Sequence, residues 1–394
     1  MKIALLTDGI YPYVMGGMQK HSYYLAKYLA QREVVVDLYH CVPFNEELPT
    51  GLKGFTEKEM QFIHHHVIHF PIPAAYPGHY VVESYRFSKQ LFKLLLEQAK
   101  PDLIYAQGFS GWYMINHKNK LVNIPVVVNF HGLEMFQNAP SFKVRLEHLI
   151  LIPAIRVNLK RADFVVSLGG KLKAILKKCN NSVLELPIGI EESWLLTKKT
   201  NNPNLKFVFI GRYERRKGIE ELNQAIVSLS ADLTFEFHFI GPIEPNQQIK
   251  DSHVIYHGAI REQEKVKALL EQMDVLVVPS WSEGMPTVIL EAMACGCAIL
   301  ATNVGAVSVL VDKQNGWLIE PGSVHQLTKQ LNTILEMDRK LLKEKQQQSL
   351  LKIQTFTWEN IINEHIRTFK AIIQKSNLTL QCEDAAVRPR QSPE

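Results

Sequence analysis

In the stretch SEGMPTVILEAMACG, residues 282–296, Glu283 and Glu291 stand eight positions apart, one in a Gly-Pro loop and one inside an apolar helical pattern. An ionised carboxylate only accepts hydrogen bonds, which suits sugar and ribose hydroxyls. The loop itself reads as an anion seat. Ser280 and Ser282 are candidate caps for the helix and Pro286 suits its first turn. The N–H groups near Gly284 and Met285 are free to meet an anion. The plain alternative for Glu291 is a helix glutamate that reaches solvent or pairs with a cation.

Three further segments sit where a strand hands over to a helix. In GRYERRKG, Gly211 is followed by Arg212, Arg215, Arg216 and Lys217. Arg offers a planar fork and Lys a mobile point charge, so the run fits a diphosphate clamp as well as a solvated basic turn. Gly16 and Gly17 precede a helical pattern, where bare backbone N–H groups and the helix dipole favour a ligand. His131, with Gly132, follows the apolar run PVVVNF. A nucleotide-sugar would use all of these pieces at once, because it carries diphosphate, ribose and hexose.

The elements that must position these residues are short β-branched runs alternating with amphipathic helical patterns. KIALLT, VVVDLYH, DLIYAQG, PVVVNFHG, DFVVSLG and SVLELPIG occur in the first half. KFVFIG, TFEFHFIG, HVIYHG, DVLVVPS and AILATN occur in the second. Continuous apolar strands separated by helices imply parallel sheets buried on both faces. The expected fold class is therefore α/β, with two doubly wound, Rossmann-like domains facing across a cleft. Ligands then collect beyond the carboxyl ends of the strands. The boundaries expected are residues 1–196, a polar linker at 197–204, a second domain at 205–354 and a disordered tail at 376–394.

At 394 residues, 46% hydrophobic and 21% charged, the chain can bury more than one core. A net charge of +5 gives no reason to expect a nucleic-acid partner. Local charge says more: nine Lys or Arg face two acids between Lys143 and Lys178, beside the apolar run HLILIPAI. Such a surface fits either core-packed helices with solvated basic faces or contact with an anionic membrane. Cys41, Cys179, Cys295, Cys297 and Cys382 lack pair or metal spacing and read as free thiols. The triplet His64-His65-His66 reads as a polar strand edge or loop, not a metal site. The start MKIALLTDG is too short in its apolar run for a signal peptide and reads as a strand. Ala292 to Val311 is uncharged over twenty residues, but Gly296, Thr302, Asn303 and Gly305 break it into helix, strand and turn.

At the glycine pair, His131, GRYERRKG, the Glu-x7-Glu stretch and NVGAVSVLVDKQNGWLIEPG, the chain resembles the family-4 group of retaining glycosyltransferases with the GT-B fold. The resemblance spans nearly the whole sequence, and FTWENIINEH looks like the family's closing helix, here 355–375, which crosses back to the first domain. It implies an acceptor-binding first domain and a nucleotide-sugar-binding second one. It also implies that Glu291 binds the donor ribose, that Arg212 and Lys217 bind the diphosphate, and that Glu283 binds the donor sugar near the reacting carbon. Gly211, Gly284, Met285, Pro286 and Thr287 complete the donor site, with His131, Gly16 and Gly17 contributing from the opposite domain. The implied partners are a nucleotide-diphosphate-sugar donor and a glycan, lipid-linked or small-molecule acceptor.

No Asp-x-Asp pair occurs, so no metal or other cofactor is expected, and the two cations would carry the leaving diphosphate. The localisation expected is cytoplasmic, with peripheral attachment at the inner face of the membrane left open. Two departures stand out: Ile188-Gly189 replaces the family's Asn-Gly, and Val309, after Ser308, replaces its usual acid. They motivate a rival reading, a catalytically silent nucleotide-sugar-binding or partner-binding homologue. An NAD-dependent oxidoreductase would share the fold, but no GxGxxG follows any strand.

Overall fold

The computed structural model describes residues 1–387 apart from 73, 75, 77, 122, 123, 198, 200–203 and 230–233, with the backbone alone from 379 onward. Its first half forms a seven-stranded sheet from β1 (Lys2–Leu6), β2 (Val35–Val42), β3 (Ile63–His69), β4 (Leu103–Gln107), β5 (Val126–Asn129), β6 (Phe164–Ser167) and β7 (Val183–Glu185), in the order β3-β2-β1-β4-β5-β6-β7. The second half forms a six-stranded sheet from β8 (Leu205–Ile210), β9 (Phe235–Ile240), β10 (Val254–Tyr256), β11 (Val275–Val278), β12 (Ala298–Thr302) and β13 (Gly316–Ile319), in the order β10-β9-β8-β11-β12-β13. Every strand pair is parallel.

The central strands are apolar on both faces because helices cover both. Ile3 through Leu6 and Leu103 through Ala106 are fully buried, paired in the register Ile3↔Leu103 to Leu6↔Ala106. In the second sheet Phe207 and Phe237 stack with ring centroids 5.6 Å apart, filling one face with aromatic rings. The uncharged run from Ala292 resolves into the helix Thr287–Ala294, β12 and the short helix Val307–Leu310. Among the described residues no helix is long and apolar enough to cross a membrane.

The last helix, Trp358–Val387, leaves the second domain and packs on the first-domain helix Gly17–Gln31. Its start is stitched to the first domain by backbone bonds from Ile190 N to Phe356 O (2.8 Å) and from Trp358 N to Ile190 O (2.9 Å). Trp358 stacks on Tyr28 at 5.7 Å, and Arg32 pairs with Glu359. Sequence alone suggested irregular chain from 376, yet the helix continues to Val387, and 388–394 lie outside the described residues. The reason is continuity: the segment extends a helix already nucleated and docked, so each added residue gains a hydrogen bond without a new nucleus. Most of the polar stretch 197–204 also lies outside the described residues.

The histidine triplet sits on the edge strand β3, where His64 Nδ1 meets Asp37 Oδ1 at 2.8 Å and His66 stacks on Tyr39 at 4.5 Å. Cys41, Cys295 and Cys297 are buried free thiols and Cys179 is a half-buried one; the side chain of Cys382 lies outside the described residues.

Candidate active site

The carboxyl ends of both sheets open into one cavity of about 740 Å³. The second domain lines it with Gly211, Arg212, Arg216, Lys217 and the loop Glu283–Val288, and the first with Asp8, Gly17, Gln19, Tyr80, Phe109 and His131.

Glu283 is buried, and its carboxylate is the hub of the second-domain wall. Lys217 Nζ lies 2.7 Å from Oε1, Ser280 Oγ donates to the same oxygen at 2.8 Å, and Arg216 Nη1 stands 3.7 Å from Oε2. Burial would raise this carboxyl, but the charges of Lys217 and Arg216 and the bonds from Lys217 and Ser280 outweigh it and hold the group below its ordinary value. Glu283 is thus an ionised acceptor beside two cations.

The four cations of the loop 212–217 divide their work. Arg212 is the exposed member at the mouth, paired with Glu214 at 2.9 Å. Arg215 turns away, making a two-pronged contact with Glu221 (2.7 and 2.6 Å) and lying over the Trp281 ring at 5.4 Å. Arg216, which the sequence pattern did not separate from its neighbours, reaches the Ser282 carbonyl at 3.3 Å and faces the cavity with Lys217.

The expected serine caps are absent. The helix Thr287–Ala294 begins after Pro286 with no side-chain cap. Ser280 is spent on Glu283, and Ser282 offers its carbonyl to Arg216. The intervening Gly284-Met285-Pro286 turn carries the chain away from both hydroxyls, and among the described residues the N–H groups of Gly284 and Met285 have no backbone acceptor.

Glu291 lies one helix face away, buried, and lines an adjoining cavity of about 440 Å³ with Gly16, Gly17, Arg212, Arg261 and Thr287. Lys20 of the first domain approaches it at 3.5 Å, so this carboxylate has a cation partner across the cleft. Gly17 itself keeps that wall bare: a Cβ there would meet nothing within 4 Å.

On the facing wall, His131 Nε2 meets Gln107 Oε1 at 2.5 Å. An amide oxygen only accepts, so Nε2 carries the proton and Nδ1 is the ring's acceptor. Burial lowers the His131 pKa to about 3, which leaves the imidazole neutral. The two walls touch: Gln137 Nε2 donates to Gly132 O at 2.9 Å and to Glu283 O at 2.7 Å. Gly284 is required at this crossing, since any Cβ would lie 2.1 Å from the His131 carbonyl oxygen.

The two departures from the family pattern sit at interdomain seams. Ile188 N points at the Met285 sulfur (3.3 Å). Val309 packs on Gly169, in a seam where Lys171 N donates to Gly305 O at 2.8 Å. Val309 does not line the 740 Å³ cavity. Among the described residues no group of three or more His, Cys, Asp or Glu is placed to hold a metal ion. Asp8, Lys20 and Gln107 escaped the sequence reading; only Asp8 carried a signal, as the first chargeable residue after a buried strand.

Residues 15–186 match the family model Glycosyltransferase Family 4, and residues 204–337 match Glycosyl transferases group 1. A Bacillus subtilis protein named as a teichuronic acid biosynthesis glycosyltransferase is 30% identical over 246 residues, 58% of this chain and 59% of its own length. An uncharacterized glycosyltransferase of Methanocaldococcus jannaschii is 26% identical over 380 residues, 92% of this chain and 96% of its own. Among solved structures, sucrose-phosphate synthase from Thermosynechococcus elongatus superposes with a TM-score of 0.78 at 19% identity, covering 95% of this chain and 99% of its own. Anabaena HepE in complex with UDP-glucose gives 0.65 at 18% identity, covering 94% and 100%.

Proposed function

The chain belongs to the group 1, family-4 glycosyltransferases of GT-B fold, and on that premise we propose that it moves a sugar from a nucleotide-diphosphate donor to an acceptor hydroxyl, retaining the anomeric configuration and using no metal. The observation that carries the reading is the contact of Lys217 and Arg216 with buried Glu283 at the mouth of a two-domain cleft.

Breaking the bond between the anomeric carbon and the diphosphate leaves positive charge on the sugar and negative charge on the leaving group. Lys217 and Arg216, joined by Arg212 from the mouth, balance the diphosphate, and the bare N–H groups at Gly284 and Met285 add dipoles of the same sense. Glu283, fixed by Ser280 and ionised, accepts donor-sugar hydroxyls near the reacting carbon. Glu291 takes the ribose hydroxyls, with Lys20 holding it from across the cleft. Glu283 is tied up by cations, so it serves as a hydrogen-bonding group and not as a nucleophile. The departing phosphate takes the acceptor's proton on the same face, which gives retention. His131, neutral and with its Nδ1 as acceptor, positions a hydroxyl without adding charge.

The acceptor class proposed is a glycan or lipid-linked saccharide of polysaccharide or glycolipid biosynthesis, with a small-molecule acceptor as the alternative; the name of the Bacillus relative supports the first. The helix Phe142–Arg161 supports peripheral attachment of a cytoplasmic protein to an anionic membrane. It leaves Phe142, Leu146, Leu149 and Ile150 exposed, interspersed with Lys143, Arg145 and Arg156.

A thermal-stability screen against nucleotide-sugars tests the donor reading, since ligand at about a hundredfold its dissociation constant adds about 2.7 kcal/mol. One donor should stabilise the wild type, less so the Glu291→Ala variant, and its nucleotide should be released when acceptor is added. Stabilisation by no nucleotide-sugar would remove the reading, and binding without nucleotide release would favour the silent homologue.

A further inference from the structure

An open parallel sheet has one point where its connections leave in opposite directions, and ligands collect in the crevice there. In the second sheet this point lies between β8 and β11, whose ends carry the cationic loop and Glu283. In the first sheet it lies between β1 and β4. The chain leaving those two strands brings Asp8 and Gly108 into the wall of the same cavity.

Asp8 is a partly buried carboxylate without a counter-cation. Gln19 Nε2 donates to its Oδ1 at 3.0 Å. The lysines nearest in sequence are engaged elsewhere, Lys2 with Asp37 and Lys20 with Glu291, and among the described residues no cation pairs with Asp8. Burial raises its carboxyl to about 6 against the hydrogen bonds of Gln19 and Tyr80, and no positive charge counters it. Beside it runs an aromatic wall. The Tyr80 and Phe109 rings lie edge to face at 6.1 Å, and those of Phe109 and Phe130 at 5.2 Å, all three lining the cavity.

An unbalanced carboxylate repels an anion and accepts from neutral hydroxyls, while apolar rings cover the C–H face of a pyranose. We infer that Asp8, with Gln19 and the Tyr80–Phe109–Phe130 wall, binds the hydroxyls of a neutral sugar unit at the reactive end of the acceptor. Any phosphate on the acceptor then lies outside this pocket. The inference rests on the glycosyltransferase reading and narrows its acceptor.

The test uses the full chain saturated with UDP or GDP, whichever the thermal screen selects. Saturation-transfer NMR then follows methyl glycosides of glucose, galactose, mannose and N-acetylglucosamine, with glucose 6-phosphate as the anionic probe. At least one neutral glycoside should bind, with affinity at least about tenfold weaker in Asp8→Ala, the size expected for losing a charged hydrogen-bond partner. Asp8→Asn should fall between, and unchanged nucleotide affinity in both variants certifies their fold. Binding of no methyl glycoside, unchanged glycoside affinity in Asp8→Ala, or preference for glucose 6-phosphate would each overturn the inference. Glycoside binding without nucleotide binding would instead remove the transferase reading and leave Asp8 as a sugar site.

Discussion

At the end of β8 the chain brings Arg216 and Lys217 against a buried glutamate with Arg212 exposed at the mouth, whereas at the end of β1 it sets Asp8 with a glutamine and aromatic rings. The strands, the parallel order and the position of the crevice are alike in the two sheets. What differs is the handful of residues just after each strand. Topology decides where a ligand can sit and the loop decides its charge, which on the proposed function means an anion on one wall and neutral hydroxyls on the other.

Removing the cationic side of this contrast should have the largest effect. Lys217→Ala is expected to slow turnover on the order of 10²–10³-fold, as for loss of one charge-stabilising donor, and Lys217→Arg should keep part of the rate. Initial rates of nucleotide release measure both. Glu283→Ala should likewise lower turnover while leaving nucleotide affinity nearly intact. Glu291→Ala should do the reverse, weakening nucleotide binding by about tenfold in calorimetry. Identical wild-type behaviour of the two glutamate variants would erase the distinction drawn between them.

The neutral side can be tested through pH. His21 lies 4.7 Å from His131 and 6.2 Å from His365, beneath the first-domain wall. Burial holds all three below the ordinary histidine value, His131 to about 3 and His365 to about 4. The unfolded chain takes up these protons below about 6.5 and the folded chain does not, so stability is complete above that pH and falls as pH drops toward 4. Asp8 acts in the opposite sense, since its raised carboxyl keeps a proton in the folded state between about 4 and 6. Three histidines outweigh one aspartate. The melting temperature should therefore fall between pH 7 and pH 5, and His365→Asn should flatten the slope by up to about 1.4 kcal/mol per pH unit. A pH-independent melting temperature would contradict the account.

The smallest expected effect lies outside the cleft. Replacing Leu149 with Asp on the exposed face of Phe142–Arg161 should reduce sedimentation with anionic vesicles at low salt by a few-fold and leave nucleotide binding unchanged. Wild-type protein that fails to sediment would remove the membrane proposal.

The sequence made the sheets legible because their strands are continuous apolar runs, a pattern only two-sided burial explains. It also marked the helix mouth at Gly284-Met285-Pro286, where the residue types have few other uses. It could not sort the cations: Arg212, Arg215, Arg216 and Lys217 are adjacent in sequence, and only the turn of a short 3-10 helix at Arg215–Lys217 sends Arg215 to Glu221 and Arg216 toward Glu283. Nor could it see Lys20 reach Glu291, or Gln107 reach His131, because those pairs depend on how two separately folded walls meet. The serine caps failed for a related reason. Local propensity favours Ser at a helix start, but a buried carboxylate needs a donor more, and Ser280 supplies it.

The central claim, that the wall after β8 carries the charge of a departing diphosphate, is tested most directly by comparing nucleotide release from the selected donor by wild type and Lys217→Ala at saturating donor. The account predicts a fall of at least about a hundredfold in kcat with KM for the donor changed far less. Equal kcat in the two proteins would contradict it.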